Sequence, residues 1–187
     1  MIHLTSDTHF GHGNIIKYCN RPFTTVEEMD LALINNWNSV VKDTDEVYHH
    51  GDLTFHKDVG RVVSILNRLN GTIYFIMGNH DRMVRDNQVV RDRFAWVKDY
   101  CELKAEKKHF VMFHFPLLTW HKAHHGAIHT HGHCHGSVDA ANAGTPRIDV
   151  GVDPQKYFPL SLPALINKMK NIHYTPVDHH GSGVKEM

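Results

Sequence analysis

From residue 26 onward, apolar side chains recur at Val26, Met29, Leu33, Ile34, Trp37, Val40 and Val41, with polar residues between them. Steps of three and four lay one apolar stripe along a helix, so Met29 and Trp37 read as core. Thr25 and Glu28 form a capping box at its start, with Thr25 as N-cap and Glu28 reaching back. A second helical face runs through Val59, Val62, Val63, Leu66 and Leu69 and is stopped by Asn70-Gly71. Three short apolar runs, at 1–6, 46–50 and 73–77, have the length and β-branched content of buried strands. The order is therefore βαβαβ, which implies a largely parallel sheet with helices on its faces.

The rest of the chain has a different character. Gly11 and Gly13 mark a loop, and 14–20 reads as a short helix broken by Arg21-Pro22-Phe23. Residues 82–99 are charged and read as helical or irregular. Strands are predicted at 100–105 and 109–115, joined by a Glu106-Lys107-Lys108 turn, and again at 127–132 and 147–152. A helix at 162–170 has Ser161 as candidate N-cap and Pro163 in its first turn. A last edge strand is predicted at 172–175. The two halves read as two sheets of one sandwich.

With 187 residues the chain suggests one domain, taken as 1–177. The last ten residues, 178–187, read as a weakly ordered tail with solvated His179 and His180. Lys plus Arg and Asp plus Glu both number 20, so no broad cationic surface advertises a nucleic-acid track. Nucleic acid is therefore not the favoured partner, and no apolar run is long enough for a membrane span. Cys19, Cys101 and Cys134 have no zinc-finger spacing. An odd cysteine count without a signal peptide points to a reducing, cytoplasmic setting. The composition leaves the oligomeric state open.

Histidine is the outlier, with 19 residues. Imidazole is the commonest protein metal ligand. The predicted strand ends bring up Asp7 and His9, then Asp52, then Asn79, His80 and Asp81, then His114, then His133 and His135. Open α/β sheets bind ligands at these carboxyl ends. In extended chain, Asp7 and His9 would share one face, as would His133 and His135, with Cys134 turned away into packing. His131 is an alternative donor to His133, but the glycine immediately before His133 favours the latter. Carboxylate, amide and imidazole donors in this number suit a pair of divalent ions, with Asp52 able to bridge. Two such ions activate water and clamp an in-line displacement, for which a phosphate ester is the natural electrophile.

Asp7-Thr8-His9, Gly51-Asp52, Gly78-Asn79-His80-Asp81, His114 and Gly132-His133-Cys134-His135, in this order, resemble the calcineurin-like metallophosphoesterase superfamily. The blocks run from Asp7 to His135. The resemblance implies a four-layer α/β/β/α sandwich of two mixed sheets flanked by helices. It implies two divalent ions (Mn, Fe, Ni or Zn), one held by Asp7, His9, Asp52 and His135. Asp52, Asn79, His114 and His133 would hold the other. It implies that His80 contacts phosphate and protonates the leaving oxygen, with Asp81 orienting His80. His12, Arg21 and Arg82 are further candidates for substrate contact.

Leu53-Thr54-Phe55 follows Gly51-Asp52 where the protein phosphatases of that superfamily carry an Asp-Arg pair, which counts against a protein phosphatase. The chain looks like the small, stand-alone prokaryotic or phage members. The reading is a metal-dependent phosphoric ester hydrolase, phosphodiesterase before monoesterase, acting on a small phosphoester or nucleotide through metal-activated hydroxide. A nuclease with the same core and a catalytically silent binding protein are the alternatives.

Overall fold

The computed structural model describes residues 1–177; the tail expected at 178–187, with His179 and His180, lies outside the described residues. The elements run β1 (Ile2–Thr5), α1 (Gly13–Tyr18), α2 (Val26–Val40), β2 (Glu46–His49), α3 (Val59–Leu66) and β3 (Thr72–Ile76). Next come α4 (Arg82–Asp86), α5 (Gln88–Arg91), β4 (Trp96–Lys98), β5 (Tyr100–Ala105) and β6 (Lys108–Phe113). A 3-10 turn (Ala123–His125), β7 (Ile128–His131), α6 (Asp139–Asn142), β8 (Arg147–Asp149), β9 (Leu160–Ser161) and α7 (Leu162–Met169) complete the chain. No helix among the described residues is long and apolar enough to cross a membrane.

Two mixed sheets result. The first has the order β4-β3-β2-β1-β9, parallel except for β9, and the second β5-β6-β7-β8, parallel except for β5. Strand alternation sorts the core into layers. Val47, Ile73 and Phe75 face Met29, Leu33, Ile34 and Trp37 of α2 and Val62 and Ile65 of α3. Leu4, Tyr48 and Ile76 face the other way and meet Phe110, Met112 and Ile128 between the sheets. Val111 points to the outside of the second sheet, where Trp120, Ala123 and Ala127 cover it. The sandwich of two mixed sheets flanked by helices is therefore present.

Three local details depart from the sequence reading. Thr25 caps α2 by accepting from the Glu28 amide, but the Glu28 carboxylate binds the amide and hydroxyl of Thr24 instead, so the box closes one residue early. The charged stretch after residue 82 contains a fourth parallel strand, β4, whose Trp96 ring packs tilted against Tyr74 and edge-on to Tyr48. No strand forms at 172–175; the first sheet is closed instead by β9, just ahead of α7.

The register sets up the site. Thr5 pairs with His49 and His49 with Phe75, so β1, β2 and β3 end level with one another. A parallel bridge from Ser6 to Gly151 then joins the carboxyl ends of the two sheets.

Candidate metal centre

Every candidate donor lies just past a strand end, but not in extended chain. Asp7, His9, Asp52, His133 and His135 have φ of +56°, +50°, +57°, +70° and +49°. Each such residue costs about 1–3 kcal/mol and persists only where its surroundings hold it. The expectation that Asp7 and His9, or His133 and His135, share a face by strand alternation is thus corrected. Tight left-handed turns aim them, and backbone bonds stitch the turns together: Asp7 N–H to Gly51 O at 2.9 Å and His9 N–H to Asp52 O at 3.0 Å.

Two glycines are steric requirements of this crowding. A Cβ at Gly132 would run into Ser6 Oγ and the Asp7 carboxylate. A Cβ at Gly78 would run into Asp52. The ligand loops pack backbone against carboxylate there, and no larger residue fits.

The donors form two groups that meet at Asp52. Ligating atoms of Asp7, His9 and His135 lie within 4.8 Å of one another, and so do those of Asp52, His114 and His133. Asp52 Oδ2 is 3.7 Å from His9 Nε2 on one side and 3.6 Å from His114 Nε2 on the other. Its Oδ1 accepts from the His80 amide at 2.9 Å. One oxygen therefore faces both groups.

Burial decides the charge of several of these groups. In the first group Asp7 Oδ1 and both ring nitrogens of His9 are buried without a hydrogen-bond partner. Burial pushes the Asp7 carboxyl well above its usual range and holds the His9 ring neutral. The other Asp7 oxygen accepts from the His133 amide at 2.9 Å, so Oδ1 and the His9 ring are the buried groups left costly unless a positive charge joins them. In the second group His114 Nδ1 donates to His50 O at 2.7 Å, which leaves Nε2 with its lone pair. That lone pair points at Asn79 Oδ1, 2.9 Å away, itself 3.0 Å from His133 Nδ1. Burial lowers the His114 pKa to about 4, so the ring does not resolve this pairing by protonating near neutral pH. His133 Nδ1 can donate to that amide oxygen, which leaves the His114 Nε2 lone pair, beside Asp52, as the electron pair open to a cation.

The supporting shell was largely missed by sequence reasoning. Asp153 accepts from His135 Nδ1 at 2.7 Å and from Arg21 Nε and Nη2 at 2.8 Å each. Burial works against a charged His135, but Asp153, Cys19 and Asp7 together outweigh it and raise its pKa to about 10. Arg21 also donates to the carbonyls of Asp7 and Thr8 at 2.8 and 3.0 Å. Its side chain is fully buried with its donors engaged, so Arg21 clamps the first ligand loop and is not a substrate contact, contrary to expectation. Nothing in the isolated sequence links Arg21 to Asp153, 132 residues away. His49, at the end of β2, accepts from the Gly51 amide through Nδ1 and donates through Nε2 to Thr8 Oγ1. The threonine hydroxyl is committed to Leu53 O, which fixes that tautomer.

Asp81 is a second correction. Its carboxylate accepts from the amides of Gly78, Asp52 and Leu53 at 2.6, 2.7 and 2.8 Å. It therefore pins the Asp52 loop and does not orient the His80 ring. His80 itself is exposed at the mouth of the centre, its ring 6.0 Å from that of His9 and 5.0 Å from Phe55. His12 stacks on Phe55 at 3.8 Å and also approaches His9. A groove of about 390 Å³ runs from His80 past Phe55, Lys57, Arg82, Met83 and Asn87. Arg82 stands on its rim with a 90% exposed side chain.

No family model matches the chain. A solved structure from Aquifex aeolicus, of a protein of unknown function, shares the fold with a TM-score of 0.72 and 24% identity, over 90% of this chain and 98% of that one. The gene 66 protein of Mycobacterium phage L5 is 26% identical over 176 residues, 80% of this chain and 84% of that protein. The uncharacterized protein MJ1445 of Methanocaldococcus jannaschii is 40% identical over 170 residues, 88% of this chain and 89% of that protein. At that identity and coverage, the chain belongs to the family of MJ1445.

Proposed function

We propose that this chain is a phosphoester hydrolase that works with two divalent metal ions on a small phosphoester or nucleotide, a phosphodiester before a monoester. The observation that carries the reading is the Asp52 oxygen that faces both groups, with the unpartnered Asp7 Oδ1 and His9 ring on one side and the His114 Nε2 lone pair on the other. Asp7, His9, Asp52 and His135 would hold one ion, and Asp52, Asn79, His114 and His133 the other. The bound pair would supply Lewis acidity toward the phosphoryl oxygens and a water ionised near neutral pH.

The remaining chemistry belongs to the chain. His80 faces the open side of the centre and is positioned through its own amide, which donates to Asp52. It protonates the leaving oxygen, a step that matters most for alkoxide leaving groups. Arg82 and Lys57 along the groove offer charge-assisted bonds to phosphate oxygens, and the Phe55 ring offers an apolar wall. A groove of this size suits a small molecule, and the zero net charge does not favour a long nucleic acid. Three free thiols among the described residues support a reducing, cytoplasmic setting.

The test is a panel of mono-, di- and cyclic phosphoesters with added manganese, nickel, zinc or iron. Metal-dependent release of phosphate or alcohol, lost in Asp52→Asn, is the expected result. No turnover with any substrate and any metal overturns the reading, and release of acid-soluble nucleotide from DNA or RNA alone reassigns it to a nuclease.

A further inference from the structure

The outer face of the second sheet carries another set of donors, away from the paired centre. On the β5–β6 hairpin Glu102 pairs with Val111 and Lys104 with His109, and facing partners share a sheet face. Glu102 and His109 are thus diagonal neighbours on the face that Trp120 covers. His109 opens the strand that leads to His114, so the two positions are about 17 Å apart at the rise of extended chain. His121, next to Trp120, completes the group from the segment that covers this face. His109 Nε2 donates to Glu102 Oε2 at 2.6 Å, and His121 Nδ1 lies 3.0 Å from each Glu102 oxygen. The ligating atoms of all three lie within 4.8 Å of one another.

The group is positioned by the fold. Glu102 and His109 sit on paired strands. Trp120 is buried against Val111 and donates from Nε1 to Ala127 O at 2.9 Å, which anchors His121 beside it. Lys122, with φ of +59°, turns the chain immediately afterwards. Tyr100 Oη donates to Glu102 Oε1 at 2.7 Å and fixes the carboxylate from its far side, the kind of outer contact that orients metal ligands.

We propose that Glu102, His109 and His121 form a separate site for one borderline transition-metal ion of the Zn²⁺ type, which staples the 116–127 segment to the β5–β6 hairpin. Two imidazoles and one carboxylate fill three corners of a tetrahedron and leave the fourth to water. Bonds of about 2.0–2.2 Å set neighbouring donors roughly 3.3 Å apart, so the His121–Glu102 contacts at 3.0 Å open by about 0.3 Å and the His109–Glu102 contact at 2.6 Å by about 0.7 Å as the ion enters. This assignment does not depend on the phosphoesterase reading.

The test counts zinc bound per chain after metal-stripped protein is dialysed against excess Zn²⁺ and freed of unbound metal, for the parent, His121→Ala, Asp52→Asn and the double variant. His121→Ala, a change at a half-exposed side chain, should bind one ion fewer than the parent, and the double variant one fewer than Asp52→Asn. Glu102→Gln should match His121→Ala, and zinc should raise the thermal midpoint of Asp52→Asn but not of the double variant. Equal zinc content with and without His121, in both backgrounds, overturns the proposal. If Asp52→Asn alone leaves zinc content unchanged while His121→Ala lowers it, the paired centre fails and this site stands.

Discussion

Asp7 and His9 lie in the interior, whereas Asn79 and His133 face solvent. The first group hangs on left-handed turns tied down by the Arg21–Asp153 pair, with Asp7 Oδ1 and both nitrogens of the His9 ring left without a hydrogen-bond partner. The second is reached from outside and already has its donors at 2.9–3.0 Å from one another around Asn79 Oδ1. An ion in the first position would be desolvated and gripped by pre-set ligands. An ion in the second would keep water access and give up less when it leaves. The difference teaches that two donor groups meeting at one Asp52 oxygen can differ in how tightly each would keep an ion.

The largest effect should come from the element common to both halves. Asp52→Asn is expected to strip both ions, a loss exceeding the roughly 10–100-fold in affinity that an outer-shell change costs. Metal analysis that finds both ions still bound would remove the basis for the comparison. Next is His80→Ala, which should retain both ions yet slow turnover of alkyl phosphodiesters by about 10²–10⁴-fold, with much less effect on p-nitrophenyl esters. Equal losses on the two substrates would reject its role as an acid.

Smaller changes should separate the halves. Asp153→Ala removes the acceptor of both His135 and Arg21, so the first ion should weaken by about 10–100-fold while the second is unaffected. Asn79→Ala should do the converse, which competition between manganese and a chelator can read out. If both variants weaken the same ion, the division into a kept and an exchangeable position is wrong.

The gentlest probe is acid on metal-free protein. Burial holds the His49 and His50 pKa values at about 3 and that of His129 at about 4. Their folded values lie below the unfolded 6.5, so the unfolded chain takes up more protons in that window. The stability contribution of neutral rings is present above 6.5 and is lost as pH falls from there toward 3 to 4. His49 tightens the link to function, because its protonation breaks the bond from the Gly51 amide that shapes the Asp52 loop. Thermal melts across pH 4–7 should show a falling midpoint, and a flat profile would mean these rings are not buried neutral.

The helix stripes, strand runs and five polar blocks were legible in the sequence because each is local: a period, a cap, or a glycine next to donors. The assignment of Asp7, His9, Asp52, Asn79, His114, His133 and His135 to one edge followed from parallel strands ending together. The supporting shell was not legible. Arg21 and Asp81 each have the residue type of a substrate or proton partner, but their roles are set by backbone groups and by a distant carboxylate. Asp153 carries no local signal. The orientation of the donors was also misread, since left-handed turns at Asp7 and His135 are stabilised by contacts across the fold and not by their neighbours in sequence.

The central claim is that Asp52 sits between two cation positions. A crystal of the protein soaked in manganese, with diffraction recorded above and below the manganese absorption edge, tests it most directly. Two anomalous peaks should flank the Asp52 carboxylate, one against Asp7, His9 and His135 and one against Asn79, His114 and His133. A single peak remote from Asp52, or none in that cleft, would contradict it.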